Sequence, residues 1–497
     1  MARTLHAMRF VEPGETPAQR ATRGVLWMFT FQLVDNCLQF VRAIVLARLL
    51  TPEDFGLMAM GVLVLTFLDS VSKTGFDEAL IQKSQMPEIY LDAGWTVQVL
   101  RGIVVFISIW ALAIPVSIVF NEPRVVPILA VLALGALIKG FDNISMVYLR
   151  KELEFPKLFV YLISGSMTYL IVGVVAGLVL RNIWALVLSN VAVAAVGFVV
   201  SYLIDRHRPC LSLEPKKVRE LVRFGRWIWA GSILVFLLLH GDDLFVGKAL
   251  GATALGLYQM AYTLSNLPAT QITKTIQQVA FPAFSKVQDK GELVKRGYLS
   301  LVQGVAFVSV PLAGGIALFS MDFTRLLLGE QWMPMVPALQ ILSIWGMLRS
   351  IGMTNGSVFM AVGRPDLSTK LSFSKLILLA VAIWPLSAKW GITGTALAVL
   401  LQGLVVNPIG LYTVIRVTGL QAWSLIRVVL LPLINTLAMI GTLALLKAVL
   451  FISVGLAEMV FLAILGLMIY LALARICDRF AGYGIQDLLE SRLADLW

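Results

Sequence analysis

Long apolar runs separated by short polar turns fill this chain, and no other feature limits its fold as strongly. Such runs cover approximately residues 24–48, 55–81, 91–120, 125–149, 157–180, 183–204, 224–247, 254–281, 298–328, 333–361, 370–388, 391–415, 426–449 and 454–474. Most have about the 20 residues that a helix needs to cross the hydrocarbon of a bilayer. They lack the ten-residue alternation of barrel strands, and backbone groups in lipid have to be satisfied within the segment, so they read as helices. The expected fold is an all-α integral membrane protein of about 14 transmembrane helices. Only 14% of the residues are charged, against about 25% in soluble domains, so charge is depleted along the whole length. The tail from Met1 to Arg20 has no apolar run, so a cleavable signal peptide is not expected.

Lysine and arginine set the orientation. With the N-terminus in the cytoplasm, 26 of the 40 fall in cytoplasmic parts, six on the opposite side and eight within helices. That asymmetry is a strong positive-inside signal and places both termini in the cytoplasm. It also accounts for most of the net charge of +11 without a nucleic-acid partner. The expected organisation is a cytoplasmic tail over 1–23, an N-lobe of six helices over 24–204 and a basic cytoplasmic linker over 205–223. A C-lobe of six helices over 224–415, two extra helices over 416–474 and a cytoplasmic tail over 475–497 complete it.

A shift of 200 residues lays the chain on itself. Arg23, Trp27, Leu50, Gly56, Leu57 and Met60 meet Arg223, Trp227, Leu250, Gly256, Leu257 and Met260, and Arg48 meets Lys248. Six helices precede the second copy, so both copies enter the membrane from the same side. This is the parallel kind of repeat, with two pseudo-symmetric lobes about an axis along the membrane normal. A central cavity shared by the lobes is expected from the polar residues that follow.

Ionisable groups inside a bilayer are costly and point to function. The first helix places Gln32, Asp35, Gln39 and Arg42 on one stripe, and the second stacks Asp69, Lys73 and Asp77 at four-residue steps. The eighth carries Thr263, Asn266, Thr270, Lys274 and Gln277. Arg101, Lys139, Asp142, Asp242, Asp243, Arg349 and Lys375 add further charges. Pairing within the Asp69–Lys73–Asp77 column and of Lys139 with Asp142 competes with a cavity role. Arg42, Lys274 and Arg349 have no opposite charge within four residues of sequence. The candidate substrate cations are Arg42, Lys73, Arg101, Lys139, Lys274, Arg349 and Lys375; the carboxylates for pairing or coupling are Asp35, Asp77, Asp242 and Asp243. Arg325 with Asp322 reads as a structural pair near the outer surface. Such cations suit an anionic, hydrophilic group, a diphosphate or an acidic sugar, since arginine grips such oxygens bidentately and lysine acts as a point charge.

Several chemistries find no support. There is no phosphate-binding G-x-x-x-x-G-K-[ST] loop, no H-E-x-x-H, no G-x-S-x-G and no paired-cysteine motif. Cys37, Cys210 and Cys477 suggest no disulfide, and His6, His207 and His240 are scattered, so neither a metal site nor a cofactor is expected. No outer loop is long enough to carry a catalytic site, so the chain does not read as an enzyme.

The segment VRAIVLARLLTPEDFGLMAM, followed by GFDEALIQK, resembles the polysaccharide transport (Wzx-type, colanic-acid-exporter-like) family of the multidrug/oligosaccharidyl-lipid/polysaccharide (MOP) flippase superfamily. GDDLFVGKALGATALGLYQMAY, VAFPAFSKVQ, GEQWMPMVP and AVGRPDLS are similar to its signatures in the same order. The resemblance implies fourteen helices in two lobes and alternating access. Its implied substrate is an undecaprenyl-diphosphate-linked repeat unit carried from the cytoplasmic to the periplasmic leaflet of the inner membrane, with an ion gradient as driving force. It implies fold and turn roles for Pro52, Gly56, Gly75, Gly256, Tyr258, Pro282, Trp332 and Gly363, and a pairing or coupling role for Asp243, with Asp242 beside it. A polysaccharide polymerase and chain-length proteins are partners it allows. A cation-coupled multidrug exporter, a peptidoglycan-precursor flippase and a membrane polymerase stand as alternatives.

Overall fold

The computed structural model describes residues 17–72, 88–146, 149, 154–205, 208–211, 215–266, 291–449 and 455–481. Its helices are α1 (Pro17–Leu49), α2 (Pro52–Ser72), α3 (Glu88–Phe120), α4 (Val125–Gly140), α5 (Phe155–Leu180), α6 (Trp184–Ile204) and α7 (Pro215–Leu250). Then follow α8 (252–266), α9 (Gly291–Phe323), α10 (Val336–Ala361), α11 (Pro365–Thr418), α12 (Ala422–Val449) and α13 (Leu456–Ala481). No β-strand occurs among the described residues. Ten of the described helical segments are long and apolar enough to cross a bilayer. Lys73, Gly75, Asp77, Lys274 and Pro282, all singled out in the sequence, lie outside the described residues.

The chain divides into two compact units, Met1–Thr253 and Ala254–Trp497. In the first, α5 packs along α6 and α1, α3 along α4, α4 along α6, and α7 against α2 and α3. Small residues let these helices approach. A Cβ on Gly102 of α3 would lie 2.8 Å from the Gly140 Cα of α4, so two glycines face each other where the helices cross. A Cβ on Gly56 would lie 1.7 Å from the Ala252 carbonyl oxygen, so at that point α2 rests directly on backbone. The start of α2 is written in the sequence TPED. Thr51 accepts the Asp54 N–H at 3.3 Å, Asp54 accepts the Thr51 N–H at 2.9 Å, and Pro52 occupies the first helical position, where its missing N–H is harmless.

In the second unit α9 packs on α10 and α12, α10 on α11, and α12 on α13. Helix α11 contains a reversal. Gly391 has φ 57° and ψ −134°, and a Cβ on Gly394 would touch the Leu386 carbonyl oxygen at 2.0 Å. Eight residues of continuous helix would separate these positions by about 12 Å, so α11 is two arms joined at Gly391. Its second arm runs parallel to α10: Trp345 lies over Gly403, Asn407 over Gly352, and Asn355 over Gly410. Asn407 donates to the Leu348 carbonyl at 3.1 Å and Tyr298 of α9 donates to Asn355 at 2.6 Å, so this seam is polar but carries no charge. At the end of α10, Gly363 takes φ 70° and Arg364 N–H returns to the Phe359 carbonyl at 2.8 Å. That closes the helix before Pro365 begins the next.

Candidate functional site

The stripe on α1 lies against α5. Ser166 donates to Asp35 Oδ1, and Gln39 donates to Asp35 Oδ2 at 2.7 Å. Two turns along the same face, the Arg42 guanidinium carbon sits 4.0 Å from the centre of the Tyr169 ring, a cation–π contact. Asp35 and Arg42 thus have separate partners on α5, a hydroxyl and an aromatic face, and make no ion pair with one another.

Arg101 of α3 reaches Asp69 of α2. Its Nη2 donates to Asp69 Oδ1 at 3.0 Å and its Nε to Ser72 Oγ at 2.9 Å. Asp69 therefore finds its cation on another helix, and Arg101 is part of the α2–α3 joint. Lys139 is exposed in the last turn of α4 and forms no ion pair with Asp142. Asp142 accepts from Tyr161 at 3.0 Å, while Gln98 caps this helix end by donating to the Asp142 carbonyl at 3.0 Å. Asp242 and Asp243 are both buried in α7, and Asp243 Oδ2 lies 3.4 Å from His240 Nδ1.

The second unit treats its cations differently. Arg349, midway along α10, donates through Nη1 to the Tyr262 hydroxyl at 2.6 Å and to Asn266 Oδ1 at 3.4 Å. Lys375, in the first arm of α11, has its Nζ 6.0 Å from the Trp345 ring centre. Among the described residues neither cation has a carboxylate within ion-pair distance. The indole N–H of Trp345, itself buried, has no acceptor among them. Arg349 stands one turn from Trp345 on α10 and Lys375 lies beside the Trp345 ring, so this group has donors in excess and no anion of its own among the described residues. Arg349 still has Nε and Nη2 for a bidentate oxyanion.

Charges at helix ends are paired locally. Arg124, before α4, binds Glu53 at 2.5 Å and Glu122 at 2.7 Å, and its hydrogen bond holds the Glu122 carboxyl below the usual carboxylate range. Asp322 and Arg325, expected to pair with each other, do not. Asp322 takes Lys447 of α12, and Arg325 takes Glu330 at 2.9 Å. Residues 324–328 form a π-turn, and with 4.4 residues per turn in place of 3.6, positions three apart no longer face each other. The fold and turn candidates Pro52 and Gly56 stand at the start of α2, Gly256 is buried in α8, and Gly363 closes α10.

Sequence reasoning missed Tyr169, Ser166, Tyr262, Trp345, Tyr298, Asn355 and Asn407. For the two asparagines a signal was available: each is the single asparagine of an apolar helix. The aromatic partners carried none, because an aromatic residue in a membrane helix is ordinary and its partner lies about 30 to 130 residues away.

Residues 45–337 match the family described as "Polysaccharide biosynthesis protein". The chain is similar to the lipopolysaccharide biosynthesis protein WzxC of Escherichia coli (strain K12), 27% identical over 80% of this chain and 81% of that one. It is similar to the teichuronic acid biosynthesis protein TuaB of Bacillus subtilis (strain 168), 25% identical over 73% of this chain and 75% of that one. Among solved structures, the lipid II flippase MurJ in an inward closed conformation shares the fold, with a TM-score of 0.74 and 13% identity over 91% of this chain and 99% of that one.

Proposed function

The chain belongs to the polysaccharide biosynthesis protein family, and from that membership we propose that it is a flippase for lipid-linked oligosaccharide repeat units. It moves an undecaprenyl-diphosphate-linked unit from the cytoplasmic to the periplasmic leaflet of the inner membrane by alternating access, for exopolysaccharide or O-antigen assembly. Both of its termini lie in the cytoplasm, and a polymerase and chain-length proteins take up the product. It acts as a transporter and not as an enzyme.

The observation that carries this reading is the pair Arg349 and Lys375, cations in membrane helices whose partners are a phenol, an amide and an indole face. A cation with only neutral partners in a membrane is a poor structural device, whereas a passing diphosphate or acidic sugar supplies the missing charge. Arg42, stacked on Tyr169, and the exposed Lys139 join them among the described residues, and Lys73 and Lys274 of the expected set lie outside those residues. Arg101 is assigned to structure, because Asp69 already neutralises it.

Gene deletion followed by mass spectrometry of lipid-linked sugars tests the reading. The complete repeat unit is expected to accumulate on the carrier lipid while surface polymer disappears. Unchanged pools overturn it, and accumulation of unpolymerised units in the periplasm favours the polymerase.

A further inference from the structure

Trp345 stands where one face of α10 passes from open to closed. Arg349, Met353, Gly356 and Met360 follow it at steps of three or four residues, so all five share that face. Met360 is 57% exposed, Arg349, Met353 and Gly356 are half-buried, and a Cβ on Gly356 would meet nothing within 4 Å. On the other side of Trp345 the same face is shut, with Leu342 and Ala338 fully buried. The open stretch therefore runs past Arg349 and ends at the indole.

The indole is fixed from one side. A Cβ on Gly403, in the second arm of α11, would lie 2.4 Å from its Cζ3 and 2.6 Å from its Cε3. Those carbons are remote from Nε1, so the Nε1 edge turns away from Gly403. Trp345 is only 6% exposed, and its N–H has no acceptor among the described residues. A buried donor left unmade costs stability, and a phenylalanine would fill much of the same space without that cost. The charged neighbours add donors. Lys375 Nζ lies 6.0 Å from the ring centre, and Arg349, one turn away, keeps Nε and Nη2 beyond the bonds its Nη1 makes to Tyr262 and Asn266.

We propose that Trp345 is a substrate-positioning residue, its indole N–H binding an oxygen of the same oxyanion that Arg349 grips. The planar guanidinium fork takes two oxygens, and the indole offers a neutral third donor at the end of the open face. The N–H is closed off from solvent, so the anion reaches it by way of Arg349. A carboxylate has two oxygens, both facing the fork. A diphosphate has four non-bridging oxygens on two phosphorus atoms, so the third donor favours a diphosphate over an acidic sugar. That the oxyanion is a transported one rests on the flippase reading; its binding at Trp345 does not.

The experiment uses the full chain in phosphatidylcholine nanodiscs with isotope-labelled tryptophan, followed by NMR. One of the 12 indole N–H signals should vanish in Trp345→Phe, which assigns it. Inorganic diphosphate should move that signal, glucuronate should move it less, and chloride at equal ionic strength should leave it in place. Arg349→Gln should abolish the movement. A signal that neither oxyanion moves, that chloride moves equally, or that still moves in Arg349→Gln overturns the site. Movement by glucuronate at least as large as by diphosphate overturns the preference for diphosphate. In cells, replacing Trp345 by benzothienylalanine, which keeps the shape and has sulfur in place of the N–H, should leave the protein in the membrane at wild-type levels and lower surface polymer about tenfold. Full polymer in that variant, with the signal's movement intact in the wild type, overturns the role in transport. A gene deletion that leaves polymer unchanged defeats the flippase reading while leaving the binding result standing.

Discussion

Arg101 of the first unit, a cation inside a membrane helix, is neutralised by a carboxylate, whereas Arg349 and Lys375 of the second are held by neutral groups. In the first unit carboxylates share the helices with the cations: Asp69 binds Arg101 at 3.0 Å, and Asp35, Asp142, Asp242 and Asp243 lie along α1, the end of α4 and α7. In the second, the described carboxylates stand at or near helix ends: Glu292, Asp322, Glu330, Asp366, Glu458 and Asp478. Arg349 and Lys375 occupy the middle with neutral partners. An ion pair in a low-dielectric interior satisfies itself and has little left to offer a ligand. A cation held by a phenol and an amide is positioned but not neutralised. The contrast is that Arg101 of the first unit is spent on assembly, whereas Arg349 and Lys375 of the second have no carboxylate partner among the described residues, and the role proposed for them is to meet an anion.

The largest effect is expected from giving the second unit what the first already has. Met353 lies one turn from Arg349 on α10, so Met353→Asp supplies a carboxylate at ion-pairing distance. Surface polymer should fall at least tenfold, as in Arg349→Ala, while the protein remains at wild-type levels in the membrane. Arg349→Lys should retain part of the activity if a point charge suffices, and none if bidentate grip is required. Normal export in Met353→Asp and Arg349→Ala would show that the unneutralised cation has no role, and the comparison between the units would lose its meaning.

A smaller effect tests the first unit. If Arg101 and Asp69 serve each other, either alanine variant should lower abundance and thermal stability more than the double variant does, because each single change strands a charge in the membrane. Both side chains are partly exposed, at 31% and 51%, so the coupling between them should be about 1 kcal/mol or less. A double variant that loses export but not stability would move Arg101 from the helix joint to the substrate.

The distribution of charge was legible in the sequence, and its pairing was not. Hydropathy marked where helices begin and end: the turn at Thr51–Pro52 and the break near Gly391 both fall between expected segments. The stripe of Asp35, Gln39 and Arg42 follows from helical spacing alone. Spacing states which residues share a face and is silent on what that face meets. Asp69 found Arg101 on α3, Arg42 found Tyr169 on α5, and Asp322 found Lys447, 125 residues away. Such partners are fixed by helix packing, which a pattern within one helix does not encode. The π-turn at 324–328 also rotated Arg325 away from Asp322, a local irregularity without an apolar signature.

The smallest effect concerns how the second unit repairs a polar fault without charge. Pro311 lies inside α9, so the N–H that would bond the carbonyl four residues back, that of Phe307, is missing. The Tyr470 hydroxyl of α13 donates to that carbonyl at 2.8 Å, with the Phe307 and Tyr470 rings 5.3 Å apart. A helix far along the chain thus supplies the hydrogen bond that the proline removed. Tyr470→Phe should lower thermal stability by about 0.5–1.5 kcal/mol, the range for one neutral hydrogen bond. In a Pro311→Ala background the helix regains its own N–H, and the same substitution should then have almost no effect. An equal loss in both backgrounds would mean that Tyr470 contributes through packing alone. If the Tyr470→Phe loss disappears only with alanine at 311, this carbonyl is met by a neutral donor, in the same way that Arg349 is held by neutral partners.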